Sequence, residues 1–228
     1  MKKLFTPILF LALLPLSFSC SNSKFGGYRL TDADAAAAIK QMLQLGTQSG
    51  LNGAFSRETI MSTLFPEPLR KTLNTLQQLG LTNEIDRFTT TLGTAAEKTA
   101  ERSIPIFMNS IDNMRLSDAI RIVKSGGTAA TDYLRSTSGT EVRRAITPVM
   151  QQALNEYRLN EQWNKIIEPA RAVVGNKLNL DIANLMAGVV SEKMFQKMED
   201  KEREVRAQAS ARTTPLLQKV FSRNWNTY

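Results

Sequence analysis

Histidine is absent from this chain of 228 residues, and cysteine occurs once, as Cys20. The missing imidazole removes the commonest general base of enzymes, and a single thiol cannot form an internal disulfide or a cysteine-rich zinc site. The chain also lacks a Gly-x-Ser-x-Gly elbow, a Ser-x-x-Lys motif at a plausible helix start and a complete P-loop. We therefore expect no enzymatic activity, no resident metal and no cofactor.

Apolar runs long enough to cross a membrane are also absent, because a spanning helix needs roughly 20 such residues. The longest run covers residues 4–16, is interrupted by Thr6 and two prolines, and follows the basic start Met1-Lys2-Lys3. A short apolar run between basic residues and small residues is typical of a secretory signal peptide. We assign residues 1–19 to such a peptide.

Two kinds of cleavage fit the end of this peptide. Ser17 and Ser19 are small enough for ordinary signal peptidase, but they also precede the only cysteine. Acylation would explain a lone exported thiol, and residues 16–20 resemble a loose bacterial lipobox. We favour a lipoprotein that is lipidated at Cys20 and faces the periplasm. Ser21 follows the cysteine where an Asp would favour inner-membrane retention, so we expect the outer membrane.

Residues 20–27 are interpreted as the lipidated N-terminus and a polar tether, ahead of a domain that covers residues 28–228. At about 3.3–3.6 Å per extended residue, the tether reaches roughly 25 Å, which keeps the domain close to its membrane. Loss of 19 of the 228 residues leaves 209, and loss of Lys2 and Lys3 lowers the formal net charge from +8 to +6. This charge permits contact with acidic lipid headgroups or anionic polymers, but a moderate charge spread along the chain is commonly only a solvated surface. No nucleic-acid-binding motif is present, and we expect no such partner.

Strand patterns are scarce in the chain. Residues 178–182 alternate between apolar and polar side chains, but the stretch is short and leads into a longer helical pattern. Elsewhere apolar residues recur at helical spacing, as in the stripe of Ile104, Phe107 and Ile111. The pattern predicts an all-α protein, a single bundle of short amphipathic helices.

Capping residues and glycines predict where these helices begin and end. Thr31 precedes an acidic first turn, which suits a helix start. Gly93 predicts a helix end, and residues 94–97 form a Thr-x-x-Glu capping box that predicts a new start. Thr147-Pro148 and Thr214-Pro215 each combine a cap with a first-turn proline. We expect the last of these helices to pack its apolar residues into the core.

Glycine, hydroxyl and cationic residues converge at one predicted helix start. Lys124 precedes Gly126, Gly127 and Thr128, and Arg135 follows within the next helix. Backbone N–H groups at a helix start, with cations nearby, can hold a phosphate or a carboxylate. These five residues are our candidate ligand-binding site. The structural alternative is a glycine helix stop followed by a threonine cap.

Three further patterns have both a functional and a structural interpretation. Glu97 and Glu101 share a helix face and suit a hard cation, but neighbouring basic residues favour a solvated, salt-bridged face. The charged segment 199–206 is interpreted as a solvated helix face with i,i+4 ion pairs. Methionines at helical spacing suit either an adaptable cavity or core filling. They are Met108, Met114, Met150, Met186, Met194 and Met198.

Several short motifs, taken in order, resemble a bacterial family known as domain of unknown function 4197. They are Ala95-Ala96-Glu97, Asp118-Ala119, Gly126 to Tyr133, the Pro148 helix and Arg212 to Phe221. The resemblance covers most of the chain from Leu30 to Phe221. It implies an exported, mostly helical protein and supplies no catalytic residues. It also suggests that Arg206 and Arg212 hold the C-terminal helix, through buried ion pairs or through a ligand.

Three functions of different class remain compatible with these patterns. We prefer a membrane-tethered helical module that binds a protein partner or an amphiphilic, anionic ligand in the cell envelope. The second is a purely structural envelope lipoprotein without a dedicated pocket. The third, a hydrolase that uses carboxylates, is disfavoured because histidine is missing.

Overall fold

A computed structural model describes residues 29–65, 67–117, 119–174, 181–223 and 225. Within these ranges the chain forms nine α-helices and no strand, as the sequence predicts. They are α1 (Asp32–Thr47), α2 (Arg57–Leu64), α3 (Glu67–Leu76), α4 (Thr82–Asp112), α5 (Ala119–Ser125), α6 (Ala129–Glu156), α7 (Leu159–Val174), α8 (Ile182–Ala207) and α9 (Pro215–Phe221). The predicted signal peptide, Cys20, the tether and the alternating residues 178–180 lie outside the described residues.

The centre of the bundle is formed by α4, α6 and α8, with α1 packed against α8. Helices α6 and α8 run antiparallel, since the start of α6 meets Glu202 and its middle meets Asn184. Five of the six methionines of the predicted stripe are buried, and they fill the core as the structural interpretation expected. Every helix in the described ranges is too short or too polar to span a lipid bilayer.

Helix α4 is continuous where the sequence predicted a stop and a restart, so the predicted capping box is wrong. The Thr94 hydroxyl donates to the Thr90 carbonyl of its own helix at 3.3 Å, and Glu97 accepts the Gly53 N–H at 2.8 Å. Gly93 serves packing, because a Cβ there would lie 2.5 Å from the Phe55 carbonyl oxygen. The helix therefore needs a glycine to let the preceding loop approach.

Helix α6 is also continuous through Thr147-Pro148, which the sequence predicted as a new start. The Thr147 hydroxyl donates to the Arg143 carbonyl at 3.1 Å and does not cap a helix. Pro148 has no N–H for the carbonyl of Arg144, so this turn lacks one helical hydrogen bond. Burial of Ile146 and Met150 on either side compensates for this local cost.

The ends of the described chain follow the predicted caps. Thr31 accepts the Asp34 N–H at 3.1 Å, and Thr214 accepts the Leu217 N–H at 3.3 Å. Leu217 is fully buried, which confirms that α9 belongs to the core. The Thr214 hydroxyl also donates to Gln41 at 2.7 Å and thereby joins α9 to α1.

Candidate functional site

The start of α6 is capped by a carboxylate from another helix. Glu202 of α8 accepts the backbone N–H groups of Ala130 at 3.0 Å and Thr131 at 2.8 Å, and it also accepts the Thr131 hydroxyl at 2.8 Å. Its side chain has no solvent exposure. A negative charge is favourable here because the first N–H groups of a helix lack internal partners and carry a partial positive charge.

Arg206, one turn further along α8, neutralises Glu202 at 2.8 Å. The same guanidinium donates to the carbonyls of Val123 at 2.9 Å and Ile122 at 3.2 Å, near the end of α5. Cations suit a helix C-terminus for the same electrostatic reason that anions suit the N-terminus. The Glu202–Arg206 pair therefore joins α5, α6 and α8.

The interpretation of segment 199–206 as a solvated face is wrong for this pair. The predicted i,i+4 ion pairs are present, but Glu202 lies on the buried face of α8. The spacing from Met198 to Glu202 to Val205 continues the apolar stripe of the helix, and this register was the signal that the sequence analysis missed.

The glycine turn between α5 and α6 occupies the position predicted for the candidate site. Gly126 has a φ of 72° and Gly127 a φ of 56°, a backbone region that other residues rarely adopt. The predicted side-chain cap from Thr128 is absent, because its hydroxyl donates to Asp132 at 2.9 Å. The N–H groups of the helix start instead hold the carboxylate of Glu202.

The side chain of Arg135 pairs with carboxylates of α6 and α8. Its guanidinium contacts the carboxylates of Asp132 at 3.1 Å, Glu192 at 3.3 Å and Glu199, and it lies over the Phe195 ring at 5.0 Å. Burial opposes the charge of Arg135, but the hydrogen bond to Glu199 and the surrounding carboxylates raise the pKa of its guanidinium above the ordinary value. Arg135 and Thr128 share Asp132 as a partner, and the structure separates these two candidate residues from Lys124, Gly126 and Gly127.

Lys124, Gly126 and Gly127 instead border a cleft of about 280 Å³ together with residues from the ends of α8 and α9. We call it the glycine-turn cleft. Its remaining lining residues are Val123, Arg206, Val220, Phe221, Arg223 and Trp225. No local sequence pattern connects the C-terminal residues with the glycine turn, because nearly a hundred positions separate them along the chain.

The glycine-turn cleft combines cations with apolar surface. The Arg206 guanidinium lies 5.3 Å from the centre of the Phe221 ring, and that of Arg223 lies 5.9 Å from the Trp225 ring. The Trp225 indole N–H donates to the Val220 carbonyl at 2.7 Å, which orients the ring. With Lys124 added, the lining suits a ligand that has an anionic group next to an apolar one.

Arg212 and the two predicted carboxylates lie elsewhere. Arg212 donates to the carbonyls of Val205 at 2.8 Å and Arg206 at 2.9 Å, so it closes the end of α8 just before α9. Glu101 pairs with Lys98 at 2.7 Å, as expected for a salt-bridged face. The described residues contain no group of three or more His, Cys, Asp or Glu side chains arranged to hold a metal ion.

The fold and this site define a helical-bundle protein with a basic, partly apolar cleft at the junction of three helices. Residues 29–222 match the model of a family described as protein of unknown function DUF4197, which confirms the predicted resemblance. The chain belongs to this family. Comparisons with curated proteins and with solved structures found no match.

Proposed function

We propose that this protein is a cell-envelope lipoprotein, anchored through lipidated Cys20, whose glycine-turn cleft binds anionic lipid headgroups of the same membrane. Its role is one of binding, without catalysis, at the periplasmic face of the outer membrane. A purely structural lipoprotein is the competing function that the experiments below test.

The observation that carries this proposal is the position of the cleft beside the start of α1. Lys219, which adjoins the cleft residue Val220, pairs with Asp34 in the first turn of α1 at 3.3 Å. The proposed tether ends at residue 27, with four residues between it and the start of α1, and it reaches roughly 25 Å when extended. A domain held on so short a tether keeps its α1 start, and with it the cleft, near the lipid surface.

The side chains of the cleft are those expected at an anionic membrane surface. Each Lys or Arg near such a surface contributes about 1 kcal/mol of attraction. Tryptophan is enriched at the level of the headgroups, where its ring has one apolar side and one polar side. Lys124, Arg223 and Trp225 provide both kinds of contact.

Vesicle sedimentation tests the headgroup proposal without the contribution of the lipid anchor. A chain that begins at Ser21 retains every described helix and lacks the acylated cysteine. We expect it to sediment with vesicles of an anionic phospholipid and to remain in solution with vesicles of a zwitterionic one. Lys124→Gln and Arg223→Gln should each weaken binding about fivefold, which corresponds to about 1 kcal/mol per lost charge.

Lys71→Gln is the charge-matched control, because this exposed lysine lies on α3, away from the cleft. It should leave vesicle binding unchanged. An equal loss in the control would attribute binding to net charge, and no vesicle binding at all would favour the purely structural function. Competition by soluble glycerol phosphate at millimolar concentration would identify a free phosphate ligand instead of a membrane.

Lipidation is tested separately by metabolic labelling with a fatty acid. The wild-type protein should incorporate the label and fractionate with the outer membrane, whereas Cys20→Ser should do neither. Equal labelling of both proteins, or of neither, would contradict the anchor. This result is independent of whether the cleft binds headgroups.

A further inference from the structure

A second cleft lies where the middle of α6 meets the start of α8. It is open to solvent and has a volume of about 760 Å³, and seven of its nine lining residues are polar or charged. They are Thr140, Arg143, Arg144, Thr147, Gln151, Asp181 and Asn184, with Pro148 and Ala183 beside them. We call it the Arg143 cleft.

The Arg143 cleft is remote from the glycine-turn cleft. Asn184 and Arg206 are 22 positions apart on α8, which corresponds to about 33 Å of straight helix. Asn184 borders the Arg143 cleft, and Arg206 borders the glycine-turn cleft. A ligand in the Arg143 cleft is therefore independent of one at the glycine turn.

The two arginines of this cleft lack acidic partners among the described residues. Arg143 donates to the carbonyl and the side-chain oxygen of Asn184, each at 3.3 Å, and no carboxylate lies in salt-bridge contact with Arg143 or Arg144. Asp181 contributes the one carboxylate of the lining, and it accepts the Asn184 N–H at 3.0 Å at the start of α8. The cleft thus presents two guanidinium groups whose bidentate donors suit a carboxylate or a phosphate.

The cleft also offers groups that recognise hydroxyls. Pro148 leaves the Arg144 carbonyl without its usual helical N–H donor, and both residues belong to the cleft lining. Gln151 and the Thr140 hydroxyl add side-chain donors and acceptors. Anionic and hydroxyl groups on one extended ligand would satisfy this set.

We propose that the Arg143 cleft binds an acidic saccharide, whose carboxylates pair with Arg143 and Arg144 and whose hydroxyls meet the neighbouring amide, hydroxyl and carbonyl groups. The volume accommodates a ligand of several sugar rings that remains partly exposed. This inference does not depend on the proposed membrane contact.

Titration calorimetry of the full-length protein in a neutral detergent tests the proposal, with a short oligogalacturonate as the acidic probe and maltotriose as the neutral one. We expect binding of the oligogalacturonate alone. Arg144→Gln should weaken it about tenfold, the low end of the range for a hydrogen bond to a charged group. Arg158→Gln, which removes an exposed arginine paired with Glu161, should leave it unchanged.

Each alternative outcome overturns the proposal in a distinct way. Absence of heat with the oligogalacturonate at two well-separated temperatures would show that the cleft does not bind it. Equal binding of maltotriose would show that charge is not recognised. An equal loss in Arg158→Gln would indicate attraction by net charge only. Tighter binding of inorganic polyphosphate, sensitive to Arg144→Gln, would identify a phosphate polymer as the occupant. Unchanged circular dichroism of Arg144→Gln ensures that a loss of binding is not a loss of fold.

Discussion

The carboxylate of Glu202 has no solvent exposure, and the cost of burying its charge is offset by hydrogen-bond donors on α6 and α8. A buried ion is costly to transfer from water unless its oxygens are fully hydrogen-bonded. Here both carboxylate oxygens have donors, from the N–H groups of Ala130 and Thr131 and from Arg206. The arrangement therefore makes each partner dependent on the others.

Replacement of Glu202 should destabilise the protein strongly. Glu202→Ala removes the charge that balances Arg206 and leaves two N–H groups of α6 without an acceptor. Breaking a buried pair in this way costs about 3–5 kcal/mol. Urea unfolding, followed by far-ultraviolet circular dichroism, measures the change in the free energy of unfolding.

Glu204→Ala provides the comparison, because this glutamate is two positions away and about half exposed, with Lys201 as its partner. Its loss should cost below about 1 kcal/mol, as is usual for an exposed ion pair. Similar costs for the two variants would contradict the capping role of Glu202.

The glycines that lie inside helices of this protein differ in whether helix packing requires them. Gly46 of α1 faces α8 so closely that a Cβ would lie 2.7 Å from the Met198 Cα atom. Gly139 of α6 differs, since its nearest neighbours would be side-chain atoms of Arg135 at 3.6 Å and Phe195 at 3.9 Å, which are ordinary contact distances. Packing therefore requires a glycine at Gly46 but leaves room for a side chain at Gly139.

Gly46→Ala and Gly139→Ala should change stability in opposite directions. The first forces α1 and α8 apart against a backbone atom, an overpacking cost of about 1–3 kcal/mol. The second adds helix propensity without a clash and should stabilise the protein by about 0.5–1 kcal/mol. Thermal unfolding of both variants checks the prediction, and a stabilising Gly46→Ala would show that the helices can separate without cost.

The last helix, α9, packs against α1 and α8 next to the glycine-turn cleft. Leu217 is completely buried and lies outside the cleft lining, so it reports on docking alone. Leu217→Ala should lower the free energy of unfolding by about 2–5 kcal/mol. Leu216→Ala, at a partly exposed neighbour, should cost less.

Equilibrium unfolding in urea distinguishes a docked α9 from a detached one. A docked helix predicts a single transition whose midpoint falls in Leu217→Ala while its slope stays the same. An unchanged midpoint would show that α9 contributes nothing to the stability of the bundle.

The amino-acid pattern by itself determined the all-α class, the caps at Thr31 and Thr214 and the burial of the last helix. These features depend on residues within a few positions of one another, whose spacing and hydrogen-bonding capacity can be read locally. The glycine turn was also predicted, because two adjacent glycines before a helix are a local stop signal.

Tertiary structure alone decided which local signals were used. Thr94 to Glu97 and Thr147-Pro148 have the composition of helix starts, but packing of α4 and α6 across the core keeps both helices continuous. The free N–H groups at the helix start near Ala130 need an acceptor. The folded chain brings the carboxylate of Glu202, 72 positions away, into hydrogen-bonding distance of them. The lining of both clefts has the same origin, since residues distant in the chain become neighbours only when the helices pack.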